Sequence, residues 1–142
     1  MEYRFDGDGR LVSRKDGEGR EDVFLYGSNG RLAEVRGYDG GSLHYHYNRE
    51  GNLYRVHDHT GREIRLRYSY HVLREFINTS GQKYAYEYNE DLCMESVITP
   101  RGIVGVRNTY DGVGRVVKQV TASGGAVEFR YDDGGMRTYE KD

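Results

Sequence analysis

An all-β repeat array is the fold class this sequence predicts, and two observations carry most of the prediction. The first is a row of aromatic residues at nearly fixed spacing: Phe5, Tyr26, Tyr47, Tyr68, Tyr88, Tyr110 and Tyr131, separated by 21, 21, 21, 20, 22 and 21 residues. The second is strict alternation of apolar and polar residues ahead of most of these markers. Leu43, Tyr45 and Tyr47 alternate with His44 and His46, and Tyr84, Tyr86 and Tyr88 with Ala85 and Glu87. Alternation with period two is the signature of a half-buried strand. A unit of about 21 residues is too short to bury its own apolar face, so copies must stack.

Each unit reads as a β-hairpin. The first turn follows the marker aromatic, as in Phe5-Asp6-Gly7-Asp8-Gly9-Arg10-Leu11 and Tyr26-Gly27-Ser28-Asn29-Gly30-Arg31-Leu32. Asp, Asn and Gly supply local side-chain bonds and positive backbone angles there. Gly9, Gly30, Gly51 and Gly114 hold equivalent places, so they join the marker aromatics as the structural residues of the repeat. A second strand follows, for example from Leu53 to Val56. These two residues are an odd number apart, so a bulge in each unit is needed to bring them to one face. A second turn closes the unit at Asp39-Gly40-Gly41, Thr60-Gly61, Ser80-Gly81, Arg101-Gly102 and Ser123-Gly124-Gly125. The fourth and fifth copies, Tyr68-Ser69-Tyr70-His71 and Tyr88-Asn89-Glu90-Asp91-Leu92, lack the turn glycine and are expected to have looser turns. Six to seven hairpins sharing neighbours give a continuous curved antiparallel sheet of roughly a dozen strands. The marker tyrosines are expected to pack cross-strand between repeats with large buried areas.

Composition agrees. The 142 residues include 20 Gly, 14 Tyr, no Trp and one Pro, which suits short strands joined by tight turns. A net charge of −2 with both signs interleaved lacks the footprint of a nucleic-acid binder. Cys93 is the single cysteine and cannot build a disulfide framework. No apolar run reaches transmembrane length, so membrane insertion is not expected. The opening Met1-Glu2-Tyr3-Arg4-Phe5 does not read as a secretion signal. An open sheet of this many strands tends to curl, and polar caps are not evident at either end. Residues 1–142 are therefore expected to be one repeat domain forming an arc of a larger structure.

Tyr110-Asp111-Gly112-Val113-Gly114-Arg115-Val116-Val117 and Tyr131-Asp132-Asp133-Gly134-Gly135 resemble the tyrosine–aspartate (YD) repeat of the Rhs family of bacterial polymorphic toxins. Asp58-His59-Thr60-Gly61-Arg62 with Leu66-Arg67-Tyr68 is similar to the other half of that unit. The resemblance covers essentially the whole chain. It departs at Phe5-Asp6, Tyr26-Gly27, Tyr47-Asn48, Tyr68-Ser69 and Tyr88-Asn89, where the aromatic or the aspartate is replaced. The resemblance implies a hollow β-shell, similar to the cocoon of insecticidal toxin complexes and the teneurin barrel, that encloses a toxic C-terminal polypeptide. It implies a structural, non-enzymatic role with no cofactor, and a place in a larger secreted or cell-surface protein. The partners it implies are flanking repeats or a second copy at the sheet edges, and a toxin cargo.

Two sets of residues offer chemistry of their own. His44, His46, His57 and His59 could hold zinc or copper if the hairpin register brings them to one face. The plainer reading, taken here, is that they line the polar face of a half-exposed sheet, with no metal site. Exposed tyrosines can stack on sugar rings, which gives a second functional class, a glycan- or cell-surface-binding module. Tyr38, Tyr54 and Tyr70 lie off the marker row and are its candidate ligand contacts. Asp6-Gly7-Asp8-Gly9 is followed by Arg10-Leu11 rather than further oxygen ligands, so turn chemistry outweighs a calcium loop.

Overall fold

The computed structural model describes the backbone of residues 1–132 and 135–141 and the side chains through Tyr131. It contains fourteen strands: β1 (Glu2–Phe5), β2 (Leu11–Lys15), β3 (Glu21–Tyr26), β4 (Leu32–Arg36), β5 (Ser42–Tyr47), β6 (Leu53–Asp58), β7 (Glu63–Ser69), β8 (Val72–Ile77), β9 (Lys83–Tyr88), β10 (Met94–Ile98), β11 (Val104–Tyr110), β12 (Val116–Thr121), β13 (Ala126–Asp132) and β14 (Gly135–Lys141). Strand order in the sheet is strand order in the chain, and the pairing is antiparallel. The chain divides into two compact units, Met1–Leu66 and Arg67–Asp142. Each is a single layer in which strands touch only their sequence neighbours.

The expected bulge is present, and it recurs at one place. In β6, Leu53 pairs with Tyr47 and Arg55 with His46, so Tyr54 is the extra residue. The same skip falls at Val12, Ala33, Glu95 and Val117. Beyond it, Val56 faces Tyr45, so Leu53, Val56, Tyr45 and Tyr47 share a face. Phe24 with Val35 and Tyr86 with Val97 repeat the arrangement.

The two turns of each repeat are one loop used twice. Eleven connections share the same pair of backbone bonds, seen at Asp6–Arg10 as Asp6 N–H to Arg10 carbonyl (2.9 Å) and Gly9 N–H to Asp6 carbonyl (3.0 Å). This is a three-residue hairpin loop, a turn followed by a residue with positive φ. Glycine takes that last place in ten of them, Gly114 for example at φ 79°. In seven loops the opening residue is Asp or Asn, and its side-chain oxygen accepts the N–H four residues on, as at Asp6, Asp16, Asn48, Asp58, Asn78, Asn89 and Asp111.

The two copies without a turn glycine still close as short hairpin turns. Asn89–Cys93 is the same loop with Leu92 in the glycine place at φ 60°. Its Asn89 oxygen accepts from Asp91 and Cys93, which offsets part of the backbone cost. The fourth copy shortens to a two-residue hairpin turn, Tyr70 at φ 50° and His71 at φ 65°, the pair of positive angles that matches strand twist. Asp133 and Gly134, part of the last copy of the motif, lie outside the described residues.

The expectation of large buried areas is corrected. Among the described residues no apolar side chain is buried; the buried residues are Ser13, Ser96 and Asn108. Tyr26, Tyr47, Tyr68, Tyr88, Tyr110 and Tyr131 are half-buried, and Phe5 is exposed. Within each unit a single layer offers no second layer against its apolar face, so alternation gives contact along the sheet without a sealed core among the described residues.

Leu92 is the one non-glycine residue in the eleven loop positions and is itself exposed. Leu92→Gly should therefore raise stability by about 1 kcal/mol. An unchanged or lower melting temperature would show that the leucine conformation carries no strain.

Candidate functional site

The most regular set of contacts lies between consecutive hairpins. The ladder from β2 to β3 stops at Ser13–Val23, three residues short of Tyr26. There the Tyr26 hydroxyl donates to the Leu11 carbonyl across the gap (2.9 Å). The ladders ending at Ala85, Arg107 and Glu128 likewise stop three residues short of Tyr88, Tyr110 and Tyr131. These hydroxyls donate to the carbonyls of Leu73 (2.8 Å), Met94 (2.6 Å) and Val116 (2.7 Å). Burial pushes the Tyr88 phenol up, which keeps it a protonated donor.

Arginines from the loops complete this joint. The guanidinium of Arg10 lies 5.0 Å from the centre of the Tyr26 ring, Arg31 5.4 Å from Tyr47, and Arg115 4.5 Å from Tyr131. Arg10 and Arg115 also donate to the carboxylates that open their own loops, Asp6 (2.8 Å) and Asp111 (2.8 Å). Where the loop is shortened, Arg74 in β8 covers Tyr88 instead, at 5.1 Å. The sequence reading missed these arginines. Their signal was present: each of Arg10, Arg31 and Arg115 follows a turn glycine, 16 residues before the next marker tyrosine.

The opposite face of the sheet is polar. In the first unit Glu34 holds Arg36 (2.7 Å), and Glu63 bridges Arg55 (2.6 Å) and Arg65. In the second, Glu75 bridges Arg67 (3.1 Å) and Lys83 (2.9 Å), and the buried Ser96 hydroxyl donates to Glu87 (2.6 Å).

Of the four candidate histidines, three come together. His44 and His57 are cross-strand partners with ring centres 4.8 Å apart, and His46 lies 5.0 Å from His57. Both contacts are nearly parallel stacks, at 17° and 16°. His46 Nε2 and His57 Nδ1 are 3.1 Å apart and share a hydrogen bond. Burial holds the His46 imidazole below the usual histidine range, with His57 and Arg55 adding to the effect. His59 stands apart. It follows the end of β6, meets the Ser42 N–H (3.4 Å), and lines a recess of about 300 Å³ with Asp22, Leu43 and Asp58. The three rings stack rather than converge. Among the described residues no group of three or more His, Cys, Asp or Glu is placed to hold a metal ion.

The candidate ligand tyrosines are 60% (Tyr38), 41% (Tyr54) and 92% (Tyr70) exposed. They occupy three different kinds of position. Tyr38 sits in the β4–β5 loop under the Arg20 guanidinium at 5.2 Å. Tyr54 is the bulge residue of β6, with the His46 ring at 6.3 Å. Tyr70 is in the two-residue turn of the second unit.

Two predictions follow from the joint and its loops. Tyr26→Phe removes only the hydroxyl and should cost about 1 kcal/mol. Tyr26→Ala should cost more, about 2 kcal/mol for a half-buried ring. Equal losses in urea titrations would sink the role given to the hydroxyl. The Thr60 hydroxyl and Arg62 hold the Asp58 carboxyl well below the usual carboxylate range, and the Arg115 N–H holds Asp111 below it. Carboxyls lowered on folding stabilise the folded state above their ordinary value. As pH falls below about 4, the unfolded chain binds protons first and that stability is lost. Asp58→Asn with Asp111→Asn keeps the loop acceptor, as Asn48, Asn78 and Asn89 do naturally. The double variant should lose less stability between about pH 5 and about pH 2. An unchanged acid limb in its thermal melts would contradict the linkage.

No family model and no curated protein matches the sequence. Solved structures match its fold. The crystal structure of TcdB2-TccC3-TEV aligns with a TM-score of 0.71 at 15% identity, over 99% of this chain and 9% of that one. TcdB2-TccC3 gives 0.68 at 16%, over 90% and 8%. The Photorhabdus luminescens Tc holotoxin pore gives 0.62 at 14%, over 98% and 8%. The chain spans 9% or less of the length of these proteins. At such identities the likeness is one of fold: the hairpin array of this chain is similar to a part of the TcdB2-TccC3 toxin-complex chains.

Proposed function

We propose that this chain is a non-enzymatic structural segment of an Rhs-type polymorphic-toxin shell that encapsulates a C-terminal toxin. Residues 1–142 act as one repeat domain, within a larger secreted or cell-surface protein. The observation that carries this reading is the joint between hairpins. The hydroxyls of Tyr26, Tyr88, Tyr110 and Tyr131 bind one hairpin to the next, and arginines cover three of those rings and Tyr47. Such residues build a wall; they present no reacting group to a substrate.

A wall continues at its edges. In this chain β1 and β14 each have a single neighbour. Every residue of β1 is exposed, Tyr3 and Phe5 included. Flanking repeats fit such edges, and without them a second copy of the chain is the substitute.

The second reading, a glycan- or surface-binding module, draws on the exposure of Tyr38, Tyr54 and Tyr70. One pair of measurements separates the two. Sedimentation at several concentrations is expected to show self-association, and a glycan array is expected to stay blank. A concentration-independent monomer with a specific glycan hit would reverse the assignment. Loss of that hit in Tyr38→Ala or Tyr54→Ala would identify the contacts.

A further inference from the structure

The histidine stack of the first unit has no part in joining hairpins, and its geometry restricts how much charge it can carry. His57 lies between His44 and His46, with ring centres 4.8 and 5.0 Å away. The hydrogen bond between His46 Nε2 and His57 Nδ1 needs one of those nitrogens bare, because two N–H groups cannot face each other. It therefore exists while at least one of the two rings is neutral, and protonation of both breaks it. His44 is held separately, its Nε2 3.1 Å from the Ser42 hydroxyl.

The surrounding charges give the stack little relief. On β4, Glu34 faces His44 but is tied to Arg36 (2.7 Å). On β6, the residue opposite His46 is Arg55, another cation. On β7, Glu63 faces His57 but already holds Arg55 (2.6 Å) and Arg65. Tyr54 adds a neutral ring at 6.3 Å from His46. A carboxylate lies opposite His44 and another opposite His57, while His46 has only a guanidinium across from it.

We propose that the His44–His57–His46 stack is an acid-sensitive latch on the β5–β6 hairpin: neutral rings hold the two strands together, and protonation of His46 with His57 releases them. The sign follows from His46, whose imidazole is held below the usual histidine range in the closed hairpin. The opened hairpin returns it to its ordinary value near 6.5. As pH falls through that value the open form gains protons that the closed form does not, so opening is favoured in acid. Above it both forms are neutral and the latch is shut. The inference does not rest on the shell reading; in a wall of repeats it marks the hairpin that gives way first on acidification.

Amide hydrogen exchange of the full chain, corrected for intrinsic rates, tests it. Between about pH 7.5 and about pH 5, protection of β5 and β6 should fall, by more than about threefold. Protection of β9 and β10, which contain no histidine, should change less than about threefold. The double variant His46→Gln, His57→Gln should keep the protection seen at neutral pH and lose the difference. Equal loss in both hairpins, or loss that persists in the double variant, overturns the latch. Where the double variant fails to fold, the ring resonances of the unmodified chain decide. A His46 midpoint below the ordinary value, with loss of β5–β6 protection over the same pH range, supports the latch. A midpoint at or above that value overturns it.

Discussion

The hydroxyl of the marker tyrosine holds a place in this fold that no backbone group can fill. Each bulge adds a residue to one strand of a hairpin and increases local twist. The ladder to the next hairpin then ends early, at Ser13–Val23 or Lys118–Glu128, and the strand ends part. A carbonyl at that opening would lose its partner, and an unmade bond costs more than a made one returns. Tyr26 and Tyr131 reach over the gap and donate to the Leu11 and Val116 carbonyls. The ring fills the opening while its tip replaces the missing N–H. Phenylalanine would fill the space and leave the carbonyl.

Arginine stacking is the second half of the same constraint. Exposed ion pairs contribute little by themselves, and Arg10–Asp6 or Arg115–Asp111 would be weak evidence for anything if isolated. Here the carboxylate fixes the guanidinium over the next tyrosine ring, and the ring is half-buried by that cover. The fourth copy makes the point clearest. Its two-residue turn has no loop arginine, yet Arg74, the third residue of the following strand, lies over Tyr88 at 5.1 Å. The loop changed and the stack was kept.

The 21-residue period and the strand pattern were legible because side chains spell them. The loop that recurs twice per period was not. Its opening residue is Asp, Asn, Gly or Thr in different copies, and what the copies share is a pair of backbone bonds. For the same reason Leu92 hid an intact loop: the glycine signal was gone while the backbone path remained. Burial was overread because alternation says which face is apolar and nothing about what lies against it. The histidines were readable in part. Spacing put His44 and His46 on one face, but the bulge at Tyr54 sets the register beyond it, and β6 ends at Asp58 before His59.

With no buried apolar side chain among the described residues, stability in each unit must come from neighbour on neighbour, as in other stacked repeats. Asn108 and Gln119 show what that permits. They occupy a cross-strand pair equivalent to Phe24 with Val35 and Tyr45 with Val56, in the middle of the apolar face. Unmatched, either would be a costly insertion. Together they satisfy each other: Gln119 donates to the Asn108 oxygen (2.9 Å), and the Asn108 amide donates to the Met94 carbonyl (3.1 Å), the same carbonyl that Tyr110 caps. A conventional interior would charge heavily for this pair, because its other neighbours would be apolar on every side. In a single layer the pair has only its strand neighbours to answer to, and they accept it. The face is therefore specified by matched cross-strand pairs and capped carbonyls, with apolarity as the commonest way to match and not the only one.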